Sequence, residues 1–269
     1  MQFFSQLDPT SQTFLVAIFA LIFGSFASLL SRRLATNEPI IFARSKCPSC
    51  NKALRVFNLI PIFSWLLQRG KCSNCHAKIS LRYPLIELVF LLSFLAIFFA
   101  DGRQINAQTL LHFAIASVML VMCITDLEHY FIPKKLQYAL AIFTTILLLL
   151  KGGAPLVLHN IPSAFLYCGF GLGLLALFRF AAKVEAIGID DIEFFFVAGL
   201  LLGTNNFLNF MFLSGFFGLV FGSFWQKIMS EKTFPFAPSI CLAAMICLLF
   251  DGKFKLVDVM GSLLFLQTF

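Results

Sequence analysis

Eight apolar stretches, most of them without a single charged residue, dominate this chain and decide what it can fold into. They run from about Thr13 to Leu30, Leu85 to Ala100, Leu110 to Thr125, Gln137 to Leu150, Pro162 to Ala182, Phe194 to Gly203, Phe207 to Trp225 and Pro238 to Phe250. About 20 apolar residues cross a bilayer as a helix, fewer where neighbours bury the ends. Composition agrees: 59% of the 269 residues are apolar and 12% charged. A water-soluble domain carries about a quarter charged residues, so soluble and disordered classes are both excluded. The expectation is an all-α polytopic membrane protein with about eight transmembrane helices. The apolar tail from Leu256 to Phe269 is too short for a further confident span.

Charge placement orients the chain. Ten of the 20 Lys and Arg lie between Arg32 and Arg82, with Glu38 the one acid among them. Beside membrane spans such a block marks the cytoplasmic side rather than a nucleic-acid grip. Alternation then places Lys134, Lys135, Lys183, Lys227 and Lys232 inside as well, against Arg103, Lys151, Lys253 and Lys255 outside. The first residues have no basic n-region and no small-residue cleavage site, so the first helix is expected to stay as an anchor. Three parts follow: a first transmembrane helix over 1–30, a cytoplasmic insertion over 31–83, and a membrane domain over 84–269.

The insertion holds Cys47-Pro-Ser-Cys50 and Cys72-Ser-Asn-Cys75, a C-x2-C-x21-C-x2-C pattern. In a reducing compartment two such turns supply four thiolates to one tetrahedral zinc. A shell closed by four sulfurs leaves no open position, which makes the expected zinc structural. His76 is not needed as a ligand. The remaining cysteines, Cys123, Cys168, Cys241 and Cys247, lie in apolar stretches as small hydrophobes. Between the pairs, the apolar segment from Phe57 to Leu67 either packs on the ribbon or rests in the membrane interface, where its Trp65 is favoured.

Acids are scarce, 13 in all. Two clusters fall at ends of spans on the same side: Asp126-Leu-Glu128-His129, and Glu185 followed by Asp190-Asp191-Ile-Glu193. Carboxyls that share a site cannot both ionise cheaply, so one keeps a proton while the other serves as base. Such a pair hydrolyses a peptide bond without a metal. The clusters alone are equally compatible with solvated helix ends. Glu87, one turn into the second span, is expected to pair with Arg82 or a neighbouring loop.

The ordered set of motifs resembles the type IV prepilin peptidases, membrane aspartic peptidases of pilins and pseudopilins. Gly24-Ser-Phe26, the two Cys pairs with Asn58 to Cys72 between them, and Ile79 to Glu87 resemble the opening span and cytoplasmic domain. Asp126 to Pro133, Glu185 to Asp191 and Phe234-Pro-Phe-Ala-Pro238 resemble the later segments. The resemblance implies Asp126 and Asp191 as the catalytic pair, within direct or one-water reach, with Glu128 and Glu185 supporting. It implies cleavage of a short basic leader at the cytoplasmic face of the bacterial inner membrane. It also implies N-methylation of the new amino terminus with S-adenosylmethionine as donor, for which no binding residue is assigned. The prepilin and membrane lipid are the expected partners, and nucleic acid is not. A zinc-ribbon scaffold without peptidase activity and a small-solute transporter are the competing readings.

This chain departs from the family pattern in places. The second Gly of the family's G-x-G-D is Asp190, Lys134 stands where an acid is common, Glu193 where Lys is common, and Ser28 where Asn is common. The product of two charges is unchanged when they are exchanged. Lys134 and Glu193 are therefore expected to face each other, the alternative being independent drift of two solvated charges.

Overall fold

The computed structural model describes residues 8–36, 38–39, 45–181, 183, 187–229 and 233–250. Glu185, Lys232 and the tail from Leu256 to Phe269 lie outside these residues. The described chain is all helical, with two isolated β-bridges in the cysteine insertion. It divides into two compact units, Met1–Thr125 and Asp126–Phe269.

The first unit holds α1 (Pro9–Thr36), the short α2 (Phe63–Leu67), α3 (Arg82–Ala100) and most of α4 (Ala107–His129). Asp8 caps α1, its carboxylate accepting the Thr10 and Ser11 N–H groups at 3.1 and 3.2 Å. α1 and α3 approach until a Cβ on Gly24 would lie 2.8 Å from the Glu87 Cα. Small residues at such crossings let helix backbones close together in a membrane. Phe90, Phe94 and Phe98 fill one buried face of α3, and Phe94 stacks on Phe113 of α4 at 4.4 Å. Arg82 crosses from α3 to α1, donating to the Ser28 and Ser31 hydroxyls at 2.7 and 2.8 Å. Of the two partners expected for Glu87, the neighbouring loop is the one found. The Glu87 carboxylate accepts the Ile62 N–H at 2.6 Å, because Ile62 holds a left-handed backbone (φ 58°) that aims this donor at α3.

The second unit holds the last residues of α4 and then α5 (Lys134–Ala181), α6 (Ile189–Leu202), α7 (Phe207–Met229) and α8 (Ala237–Phe250). At 48 residues, α5 would be about 72 Å long if straight, more than twice the hydrocarbon thickness. It reverses at Gly153, whose φ of 69° a side chain would resist. Both arms pack on α6. Gln137 donates to the Asp190 carbonyl, while further along Asn160 donates to the Leu200 carbonyl and Tyr167 to that of Gly203. The first arm runs with α6, Gln137 lying at Asp190 and Leu148 beside Leu200, and the second runs against it, Ser163 lying at Gly199 and Gly171 at Phe195 and Ile192. A Cβ on Gly199 would meet the Ser163 carbonyl oxygen at 2.7 Å, so α6 lies directly on the second arm.

Each of the eight expected stretches coincides with a helix or with one arm of α5. Among the described residues, five helices are long and apolar enough to cross a membrane. α6 and α8 have 14 residues each and fall short of that length. The sequence reading ended the third span at Thr125, but α4 continues through Asp126 to His129, since nothing before Pro133 prevents helix.

Candidate active site and metal centre

The last turn of α4 carries Asp126. Its side chain is 7% exposed, and its Oδ2 accepts the Ala237 N–H at 2.9 Å. Ala237 opens α8. The first N–H groups of a helix have no partner within it, and the helix dipole is positive there. Pro238 follows as a residue suited to the first turn. The segment Phe234-Pro-Phe-Ala-Pro238 is thereby a built anion seat beneath Asp126. Its position is fixed by α7, where Gly218 and Gly222 leave room for the rings of Phe236 and Phe234.

Asp191 stands at the third position of α6 and is 9% exposed. Its Oδ2 reaches back to accept the Gly188 N–H at 3.0 Å. Two buried carboxylates from distant segments are thus each held through one oxygen by an N–H at a helix start. They are close enough that the Asp126 charge acts on Asp191, and that of Asp190 acts on both. A Cβ on Gly188 would come 3.2 Å from the Asp191 Oδ2. We predict that Gly188→Ala displaces this carboxylate and lowers turnover about tenfold or more, with expression and membrane insertion unchanged. Activity equal to that of the parent protein would show that Gly188 does not set the position of Asp191.

Asp190 turns elsewhere. Its Oδ1 lies 2.9 Å from the Lys134 Nζ, which also meets the Glu193 Oε1 at 2.5 Å. The expected meeting of Lys134 and Glu193 is present, and Asp190 joins it. The start of α5 therefore grips the start of α6 twice, through Lys134 and through the buried Gln137. All three charged groups of this cluster are about 40–50% exposed, so the ion pairs are solvent-screened and worth about 0–1 kcal/mol each. In a double-mutant cycle, Lys134→Glu and Glu193→Lys should each reduce thermal stability or cleavage, and the double exchange should recover part of the loss. Recovery will be incomplete, because Lys134→Glu also faces Asp190. Strictly additive losses would remove the pairing as an energetic link. Glu128 lies 4.0 Å from the His129 ring, and Tyr130 accepts the Trp225 indole N–H at 3.2 Å.

In the insertion, the ligand atoms of Cys47, Cys50, Cys72 and Cys75 all lie within 4.8 Å of one another. Zinc–sulfur bonds of about 2.3 Å in a tetrahedron give sulfur separations of about 3.8 Å, and Cys47 and Cys75 are 3.9 Å apart. The two turns repeat one geometry. The Cys47 N–H donates to Lys52 and the Cys72 N–H to Ala77, while Asn51 and His76 each take a left-handed φ after the second Cys of a pair. His76 is thus a turn residue, outside the ligand set. Backbone N–H groups of Cys50 and Ser49 hold the Cys47 thiol below its usual pKa, and those of Cys75 and Asn74 do the same for Cys72. Cys75 accepts the Ala77 N–H, which lowers it, but desolvation and the neighbouring thiols prevail and push it up to about 11. Four sulfurs so crowded lose all their protons to solvent when a cation binds between them. The donor set fits zinc.

Sequence reasoning named Asp126, Asp191 and the four cysteines; the structure buries the two acids and gathers the four sulfurs. The sequence reading missed the Ala237 N–H on Asp126, for which Pro238 was the available signal, and the grip of Gln137 on Asp190.

Residues 18–100 match the model of the bacterial peptidase A24 N-terminal domain, and residues 113–223 that of the type IV leader peptidase family. The prepilin leader peptidase/N-methyltransferase of Bacillus subtilis (strain 168) is 31% identical over 88% of this chain and 93% of its own length. A Pectobacterium carotovorum protein of the same name is 27% identical over 93% and 97%. The type 4 prepilin-like proteins leader peptide-processing enzyme of Escherichia coli O78:H11 is 25% identical over 93% and 98%. No solved structure matches the chain. With both domain models in order and relatives aligned along almost its whole length, this chain belongs to the type IV leader peptidase family.

Proposed function

We propose that this protein is a multi-pass aspartic endopeptidase of the bacterial inner membrane that removes the leader of type IV prepilins or pseudopilins on the cytoplasmic side. The observation that carries the reading is the pair Asp126 and Asp191, both buried, each fixed through one carboxylate oxygen by a helix-start N–H. Pinning one oxygen leaves the other to face the reaction. One carboxylate takes a proton from water as the water oxygen attacks the scissile carbonyl carbon, and the other, protonated, donates to the carbonyl oxygen. Collapse of the tetrahedral diol breaks the C–N bond, and a proton passes to the leaving amine. Asp190, ion-paired to Lys134, is the less suited of the adjacent acids.

Within the four-cysteine insertion, Cys47, Cys50, Cys72 and Cys75 would hold a structural zinc that cross-links the two turns. N-methylation of the new amino terminus, with S-adenosylmethionine as donor, follows the name shared by two of these relatives, and no side chain here is assigned to it. Cleavage of a prepilin by the purified protein in lipid, with Asp126→Asn and Asp191→Asn as controls, tests the peptidase reading. A scaffold would leave the substrate uncut in every case.

A further inference from the structure

In the first unit, the segment joining the two cysteine turns tucks Trp65 against Gly70 but leaves several other large apolar side chains uncovered. Val56, Phe63 and Leu66 are exposed, and Phe57 and Leu67 reach 79% and 84%. So many large apolar side chains exposed within twelve residues mark a surface that meets something apolar. Three observations identify it. The segment's depth is set by the Ile62 N–H on Glu87, which fastens it beside the first turns of the membrane helix α3. Arg82, opening α3, binds the Ser28 and Ser31 hydroxyls of α1, so a polar girdle lies at the same level. Arg55 and Arg69 bracket the patch, exposed like it, and no acid occurs between Glu38 and Glu87.

We infer that residues 56–67 are an interfacial anchor whose partner is the anionic lipid leaflet on the insertion's side of the membrane. An apolar face with basic flanks at the end of a span is what such a surface binds, with side chains entering about 5–10 Å. A soluble protein partner would not account for the fastening to α3. The prepilin's apolar helix is the competing occupant, and the experiment separates the two. The anchor holds the zinc turns against the bilayer rather than out in solution.

The test is lipid-depth quenching of the full-length protein. Trp65 and Trp225 are the only tryptophans, so Phe57→Trp and Leu67→Trp are made singly in a Trp225→Phe background. In vesicles of phosphatidylglycerol and phosphatidylcholine without substrate, the fluorescence added by each new tryptophan should fall about twofold with lipids brominated just below the headgroup. Lipids brominated near the bilayer centre should quench it less. Arg55→Gln with Arg69→Gln should weaken the shallow quenching in anionic vesicles and not in purely zwitterionic ones. Absence of quenching by both bromolipids would overturn the inference, and so would quenching that appears only when a prepilin is added.

Discussion

Asn at position 126 or 191 is expected to reduce prepilin cleavage by at least about a hundredfold, because general acid–base catalysis alone supplies about 10²–10⁴. Asn keeps the shape of Asp and one acceptor oxygen for the Ala237 or Gly188 N–H, so insertion and thermal stability should change little. Asp190→Gly should retain activity, since Asp190 spends its carboxylate on Lys134 at the exposed edge of the site. Single-turnover cleavage of a detergent-solubilised prepilin measures all three. An inactive Asp190→Gly beside an active Asp191→Asn would move the catalytic acid by one position. Cleavage unaffected by any of them would remove the dyad altogether.

Loss of the metal is the second large effect. Purified protein should contain about one zinc per chain, since four thiolates close one tetrahedral shell. Ser at Cys47, Cys50, Cys72 or Cys75 should empty the site. Zinc in such shells contributes about 10–16 kcal/mol of apparent binding free energy at neutral pH, which in small domains is folding free energy. The residues between Ser45 and Ile79 have little else to order them: two isolated β-bridges, a turn of 3-10 helix and a five-residue helix. Chelation should therefore expose this segment to limited proteolysis while the membrane helices stay intact. A Cys47–Cys50 or Cys72–Cys75 disulfide in protein kept reduced would contradict the zinc reading.

How much of this was legible depends on where each signal resides. Apolar runs and cysteine spacing are properties of side chains, and the helices and the sulfur cluster stand where these signals placed them. The reversal of α5 at Gly153 was legible too, because Lys151-Gly152-Gly153 interrupts the apolar run. Backbone donors leave no such mark. Ala237 and Gly188 act on the two carboxylates through N–H groups that every residue except proline possesses, so their identity says nothing of their use. Glu87 shows the same limit: the neighbouring loop was one of its two expected partners, but that the Ile62 N–H is the donor could not be read from side chains. The link between Lys134 and Glu193 was legible only because both departed from the family pattern together, and the addition of Asp190 required coordinates.

The hydrogen bond from Ala237 to Asp126 has a consequence for genetics. Position 237 is already alanine and fully buried, so an alanine scan passes over it and bulkier residues fail there for want of space. Glycine or serine would keep the donor. Proline alone deletes it without adding a long side chain. A residue that touches the Asp126 segment through its peptide group is therefore hidden from truncation mutagenesis.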